Sequence, residues 1–124
     1  MRMNRQLRQV PNESMSETMN DKTHREQEIA RINAETAKIA WHELQKFFAQ
    51  GKAVLVSPSL DLVEVAFEFS CDNKQLCESW LNAGHIGVVG DAQAREWLDA
   101  NALMWAVVVR PWVLVQPLLK DELQ

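Results

Sequence analysis

Cys71, Asp72, Cys77 and His85 are the residues of this chain whose types could hold a metal ion. Zinc sites built on cysteine pairs set the two thiols two to four residues apart, and here five residues separate them, so the spacing argues against a metal. Cys77 also shares an apolar stripe with Trp80 and Leu81, where a thiol serves as a small apolar filler. Glu64 and Glu68 suggest an acid/base pair. On the strand expected there they stand about 13 Å apart, beyond the roughly 5 to 9.5 Å that paired carboxylates use. His42 and Glu43 have no second histidine four residues on, so no metalloprotease helix is written there. Ser57, Ser59, Ser70 and Ser79 lack a nucleophile elbow, and Gly84, Gly87 and Gly90 lack the lysine that would follow a phosphate loop. These residues read as turns and caps. No catalytic, cofactor-binding or metal-ligating residue is assigned.

What remains is architecture. A chain of 124 residues, 47% hydrophobic and 24% charged, is sized for one globular domain. Its net charge of -4 argues against a nucleic-acid surface, which concentrates lysine and arginine on one face. Two cysteines and a basic start with no apolar stretch behind it point to a reducing compartment, hence a cytoplasmic protein with neither export nor membrane insertion. Lys120, Asp121, Glu122 and Leu123 spell a retention tetrapeptide, but Gln124 follows it.

Residues 1–28 mix five basic and five acidic side chains with aperiodic methionines and read as a disordered tail; residues 118–124 read as a polar C-terminal tail. The domain proper is 29–117. From Ile29 to Gln50 the spacing predicts helix, with Ala37, Ala40, Trp41, Leu44, Phe47 and Phe48 on one stripe and Gly51 as the stop. Asn33 is a possible cap inside that run, which leaves one helix or two. Residues 53–56 read as a short strand. After a turn at 57–60, residues 61–69 alternate as a second strand, with Val63, Val65, Phe67 and Phe69 inward. A helix follows, capped from 70–73, with Leu76, Cys77, Trp80 and Leu81 inward and Gly84 ending it. Residues 85–90 are a connector with a short extended piece at 86–88. Asp91 caps a third helix that turns Ala94, Trp97 and Leu98 inward. The expected fold is therefore α+β, a two-layer domain with a mixed or antiparallel sheet of three to four strands, in the order α-β-β-α-α-β.

Leu103 to Val109, LMWAVVV, is apolar on both faces of a pleat and belongs in mid-sheet. Pro111 conflicts with that, because proline cannot donate to a ladder and fits the favoured two-residue hairpin turns poorly. The strand is expected to bend at Pro111 and continue through Trp112 to Val115, with Trp105 and Trp112 on opposite faces. Cover for this second, apolar segment comes either from a second copy or from the N-terminal helix. Arg110, inside an apolar run, calls for a carboxylate such as Glu64 or for an anionic ligand. The candidate interaction or ligand anchors are thus Arg110, Trp105, Trp112 and Leu114. The function they imply is a non-enzymatic protein-interaction or regulatory module that forms a homo-oligomer or binds a protein partner, without nucleic acid, membrane or cofactor. The alternative is a small-molecule-binding protein or enzyme with a pocket between sheet and helices, anchored by Arg110, His42 and His85.

The segments INAETAKIAWHELQKFFAQG at 32–51, PSLDLVEVAFEF at 58–69 and WAVVVRPWVLVQ at 105–116, in this order, resemble a family of short bacterial proteins grouped as domain of unknown function 2288. The resemblance spans Ile29 to Gln116 and leaves the N-terminal tail outside. It implies a bacterial cytoplasmic protein and carries over no catalytic residue, cofactor or partner.

Overall fold

The structure, a computed structural model, describes residues 12–118, with side chains from residue 23 onward. The described backbone divides into two units, with the boundary between Arg31 and Ile32. In the first unit the expected solvated leader falls outside the described residues up to residue 11. From Asn12 the chain is instead helical, in α1 (Asn12–Glu35). Its sequence is rich in good helix formers and carries no apolar stripe, so it gains from propensity and from local pairs. One such pair joins Arg31 Nη2 to Glu28 Oε2 at 2.8 Å, three residues apart. The hydrogen bond from Arg31, helped by the charges of Arg31 and His24, holds the Glu28 carboxyl below its usual range. The other end of the chain, 119–124, also lies outside the described residues.

The second unit begins with the last turn of α1, where Ile32 is buried. The run expected as one helix or two through Gln50 is two, and the first ends at Thr36, whose hydroxyl donates to the Ile32 carbonyl at 2.7 Å. Strand β1 (Ala37–Ala40) follows, and then helix α2 (Trp41–Ala49), tied to the chain before the fourth strand by Trp41 N donating to Ala102 O at 2.8 Å. Helical spacing of Ala37, Ala40 and Trp41 is real, but residues 37–40 complete a sheet ladder instead, a tertiary gain that overrides local pattern. Gly51 adopts φ +72° where the helix stops, a conformation open to glycine without cost.

Strand β2 (Ala53–Val56) lies where expected. The second expected strand does not exist: Leu62–Ser70 is helix α3. Asp61 decides it, its carboxylate accepting from the backbone N–H of Val63 at 3.0 Å and of Glu64 at 3.4 Å, as an N-cap does. Once helical, Leu62, Val65 and Ala66 come to one buried side. Glu64 and Glu68 are then one helical turn apart, not 13 Å away along a strand. Helix α4 (Lys74–Asn82), strand β3 (Ile86–Val88) and helix α5 (Asp91–Asp99) follow, α5 with Gly90 as the cap and Asp91 in its first turn. Strands β4 (Leu103–Val109) and β5 (Trp112–Pro117) close the chain.

Among the described residues there are five helices and a five-stranded mixed sheet, ordered β1-β4-β5-β2-β3, with β2 parallel to β5 and the other pairs antiparallel. The class is α+β as expected, with more strands and a different order. The strand at 103–109 is interior, as its two apolar faces require. Beyond it the chain does not bend onward but reverses: Arg110 and Pro111 form a hairpin turn with Val109 opposite Trp112. Their peptide bond is cis, and a cis proline fits the third position of a tight turn, which the primed hairpin turns do not allow it. Because opposed residues share a face, Trp105 and Trp112 lie on the same face, not opposite ones.

Both faces of the sheet are covered, so there are three layers and not two. Ala53, Leu55, Met104, Ala106, Val113 and Val115 share a face and a core with Trp41 and Leu44 of α2 and Ala94 and Trp97 of α5. The other face, with Val54, Val56, Val107 and Leu114, lies under α3, which packs on β4 and β5.

Candidate interaction surface

The segment after Pro111 finds its cover within the chain. β5 has β4 on one side and β2 on the other, and Leu114 is 0% exposed, so this candidate anchor serves the core and reaches no partner. Arg110 sits exposed in the β4–β5 turn, where water solvates its guanidinium and no buried partner is required. Trp105 is half-buried, with the Lys38 ammonium 5.2 Å from its ring centroid. Trp112 remains 38% exposed. Register separates the two tryptophans by four residues along the β4–β5 ribbon, about 13 Å, so they form no joint surface.

Trp112 opens instead onto a surface built by α3, α4 and β3. Asp72, at φ +57°, turns the chain between the two helices, a conformation aspartate tolerates. Asn73 caps α4 by accepting from Leu76 N at 3.2 Å, and its amide donates to Glu68 Oε1 at 2.9 Å, which ties the cap to α3. The apolar stripe of α4 is present as expected, but it does not enter the core. Leu76, Cys77 and Trp80 are only half-buried and Leu81 is 55% exposed, because beneath the helix lie α3 and the short edge strand β3 instead of mid-sheet. Gly84, at φ +80°, ends α4 and delivers the chain to β3, where Val88 is 76% exposed.

Leu81, Val88 and Trp112 line one groove of about 250 Å³, floored by Val54, Phe69, Cys77 and Ile86, with Glu78 as its charged wall residue. It continues past Phe69, Cys77 and Trp112 into a hollow of about 150 Å³ that reaches Asp72 and Lys74. Burial, and after it the carboxylates of Glu68 and Asp72, push the Cys77 thiol above its ordinary pKa. On its outer side β3 has no strand neighbour among the described residues. Apolar side chains beside an unpaired edge are the elements of a docking site.

Two wider openings are more polar. One of about 580 Å³ between α2 and α5 is bordered by Gln45, Asp91, Arg95 and Asp99, with Leu98 exposed among them and not inward as expected. Another, of about 380 Å³, holds Ser57, His85 and Gln93. The three polar anchors of the ligand alternative are dispersed by the sheet. His85 precedes edge strand β3, His42 follows the opposite edge strand β1, and Arg110 lies at the other end of the ladder. Among the described residues no group of three histidine, cysteine, aspartate or glutamate side chains is placed to hold a metal ion, and both cysteines are free. No helix of the described residues is long and apolar enough to cross a membrane.

Residues 27–117 match the model of a family described as protein of unknown function, DUF2288. The chain belongs to this family. It is also similar to PA1075 from Pseudomonas aeruginosa, whose NMR solution structure superposes with a TM-score of 0.67 at 41% identity, over 74% of this chain and 85% of that one. No curated protein matches. The part assigned to DUF2288 starts inside α1 and closes on the last residue of β5, so it contains the whole sheet and the groove. Trp112 was singled out in the sequence because the apolar segment that carries it called for cover. Leu81 was read there as an inward position of its helix and Val88 as part of a connector, so neither was singled out.

Proposed function

We propose that this member of DUF2288 is a non-enzymatic interaction module that docks another polypeptide on the groove at the β3 edge, the residues that carry it being Trp112, Leu81 and Val88. One observation supports the reading above the others: three large exposed apolar side chains converge on a single, almost wholly apolar groove next to a strand edge. Isolated exposed apolar residues are ordinary; a contiguous set is not. Self-association, first expected along β5, moves to this edge, because both sides of β5 are taken. Two free thiols fit a reducing cytoplasm as its place of action.

Selection of a displayed random-peptide library tests the reading. Wild type enriches binders, and Val88→Asp, which puts a charge on the groove without touching the core, loses them. Sedimentation equilibrium on the same pair reports whether a second copy is the partner. No enrichment on wild type, together with a monomer unaffected by the substitution, overturns the proposal.

A further inference from the structure

We propose that a second site, on the face of the sheet opposite the groove, binds a small, uncharged heteroaromatic molecule in the hollow between β3 and α5. The hollow measures about 380 Å³, with Leu55, Pro58, Trp97 and Pro117 among its apolar walls. Gly87 makes room for it. Leu55 opposes Gly87 in the β2–β3 ladder, so a side chain at 87 would stand beside Leu55 on the face that α5 covers. No atom lies within 4 Å of where its Cβ would stand, its backbone is outside the left-handed region that calls for glycine, and the ladder runs through it without a bulge. Neither crowding nor backbone geometry therefore asks for glycine inside this strand, where it weakens the ladder; close approach of a ligand to the backbone is the use that remains.

The rim is held in place before any ligand arrives. The Gln116 amide donates to the carbonyls of Ser57 at 2.9 Å and Leu60 at 2.8 Å, fixing the loop after β2, and Ser57 N donates to His85 O at 2.8 Å. β2 and β5, the parallel pair, both end here, and in open sheets of parallel strands ligands collect outside the carboxyl ends. Polarity then chooses the class. Among the described lining residues there is no carboxylate, lysine or arginine, so a charged ligand would give up hydration without a fixed counter-charge. Gln93, one helical turn before Trp97, uses an amide N–H on Glu96 at 3.0 Å, and its carbonyl oxygen can accept from a ring N–H. The His85 imidazole can donate to or accept from another edge of the same ring. A flat ring is the shape that lies against the bare backbone of Gly87.

Indole and adenine, uncharged rings that bear an N–H, are the probes, with benzoate as the charged ring and toluene as the ring without polar atoms. Each is titrated into the full chain and followed by the backbone amide NMR signals. Indole, adenine or both should shift the amides of His85, Gly87, Gln93 and Trp97 and bind about tenfold tighter than benzoate or toluene. Gln93→Ala should weaken that binding about fivefold, the worth of one hydrogen bond. Gly87→Ala should weaken it about tenfold and Gly87→Val abolish it, by filling the space, with the amide spectrum away from the hollow unchanged. If Gly87→Val does not fold, Gly87→Ala and Gln93→Ala decide. Benzoate or toluene binding as tightly as the N–H rings overturns the ligand class. Binding unaffected by these substitutions, or shifts confined to the groove around Trp112, overturns the site, and no shift with any probe up to its solubility overturns both. None of these outcomes bears on the docking groove, which Val88→Asp tests by itself.

Discussion

The two faces of the sheet are covered by helices of equal length and similar amphipathic pattern, and they end in different states. Under α2 and α5 the middle of the face is packed into an aromatic core, with Leu98 and Val108 left exposed only at its margins. Trp41 is fully buried, its ring centroid 4.9 Å from that of Trp97 at 70° and 5.8 Å from that of Phe48 at 59°, the tilted arrangements that aromatic quadrupoles favour. On the other face α3 delivers Leu62, Val65, Ala66 and Phe67 to the core, while its neighbour α4 delivers no fully buried residue at all. The difference lies under the helices and not in them. α3 packs on interior strands β4 and β5, and α4 reaches past the last full-length strand onto three residues of β3. An apolar stripe is therefore a demand for cover, which the fold meets for α3 and leaves partly open for α4.

The sharpest way to break this comparison is to delete the same kind of side chain on both sides. Trp41→Ala should cost about 3 to 5 kcal/mol in urea unfolding, the range for emptying a large aromatic site in a core. Leu62→Ala on α3 should cost about 3 kcal/mol by the same reasoning. Leu81→Ala, on the open stripe of α4, should stay within about 0.5 kcal/mol of wild type. Comparable losses at Leu62 and Leu81 would mean that the α4 stripe is core after all, and the groove would lose its claim to be a surface.

How much of this was legible in the sequence depends on where the deciding force lies. LMWAVVV at 103–109 was readable as interior strand because both of its faces are apolar and no helical period fits. LVEVAFEF at 62–69 satisfies two periods at once: Val63, Val65, Phe67 and Phe69 alternate, while Leu62, Val65, Ala66 and Phe69 sit three and four apart. The arbiter was present in Asp61 with Glu64 three residues on, the pattern of a helix start, and it outweighs alternation here. β1 had no such signal. Ala37–Ala40 becomes a strand because β4 has a free side to fill, which is a property of the assembled sheet. The surface was half legible for the same reason. Trp112 was singled out because its apolar segment called for cover, whereas Leu81 reads as an inward helix position and only the shortness of β3 leaves it and Val88 open.

The caps allow a finer comparison, since Asp61 and Asn73 hold the starts of the buried and the open helix. Asp61→Ala and Asn73→Ala should each cost about 1 kcal/mol, the usual worth of a capping side chain. Their consequences diverge at the groove. Losing the Asp61 cap leaves α4 in place, whereas losing Asn73 also removes the amide that holds Glu68, so peptide binding should fall for Asn73→Ala and not for Asp61→Ala at matched stability.

The smallest effect belongs to Cys77, and its sign follows from its surroundings. Burial disfavours the thiolate, and Glu68 and Asp72 disfavour it further, so alkylation at mildly alkaline pH should be slower than for an unperturbed cysteine. With the folded pKa above the unfolded one, the folded state retains the proton longer as pH rises. The contribution to stability is therefore present below the unfolded thiol's pKa and is lost as pH climbs through the folded value. Asp72→Asn removes one of the two carboxylates and should speed alkylation of Cys77, measured in a Cys71→Ser background, with no matching loss of stability. If the rate does not change, burial alone raises the thiol, and Cys77 reports only how far this open face is withdrawn from water.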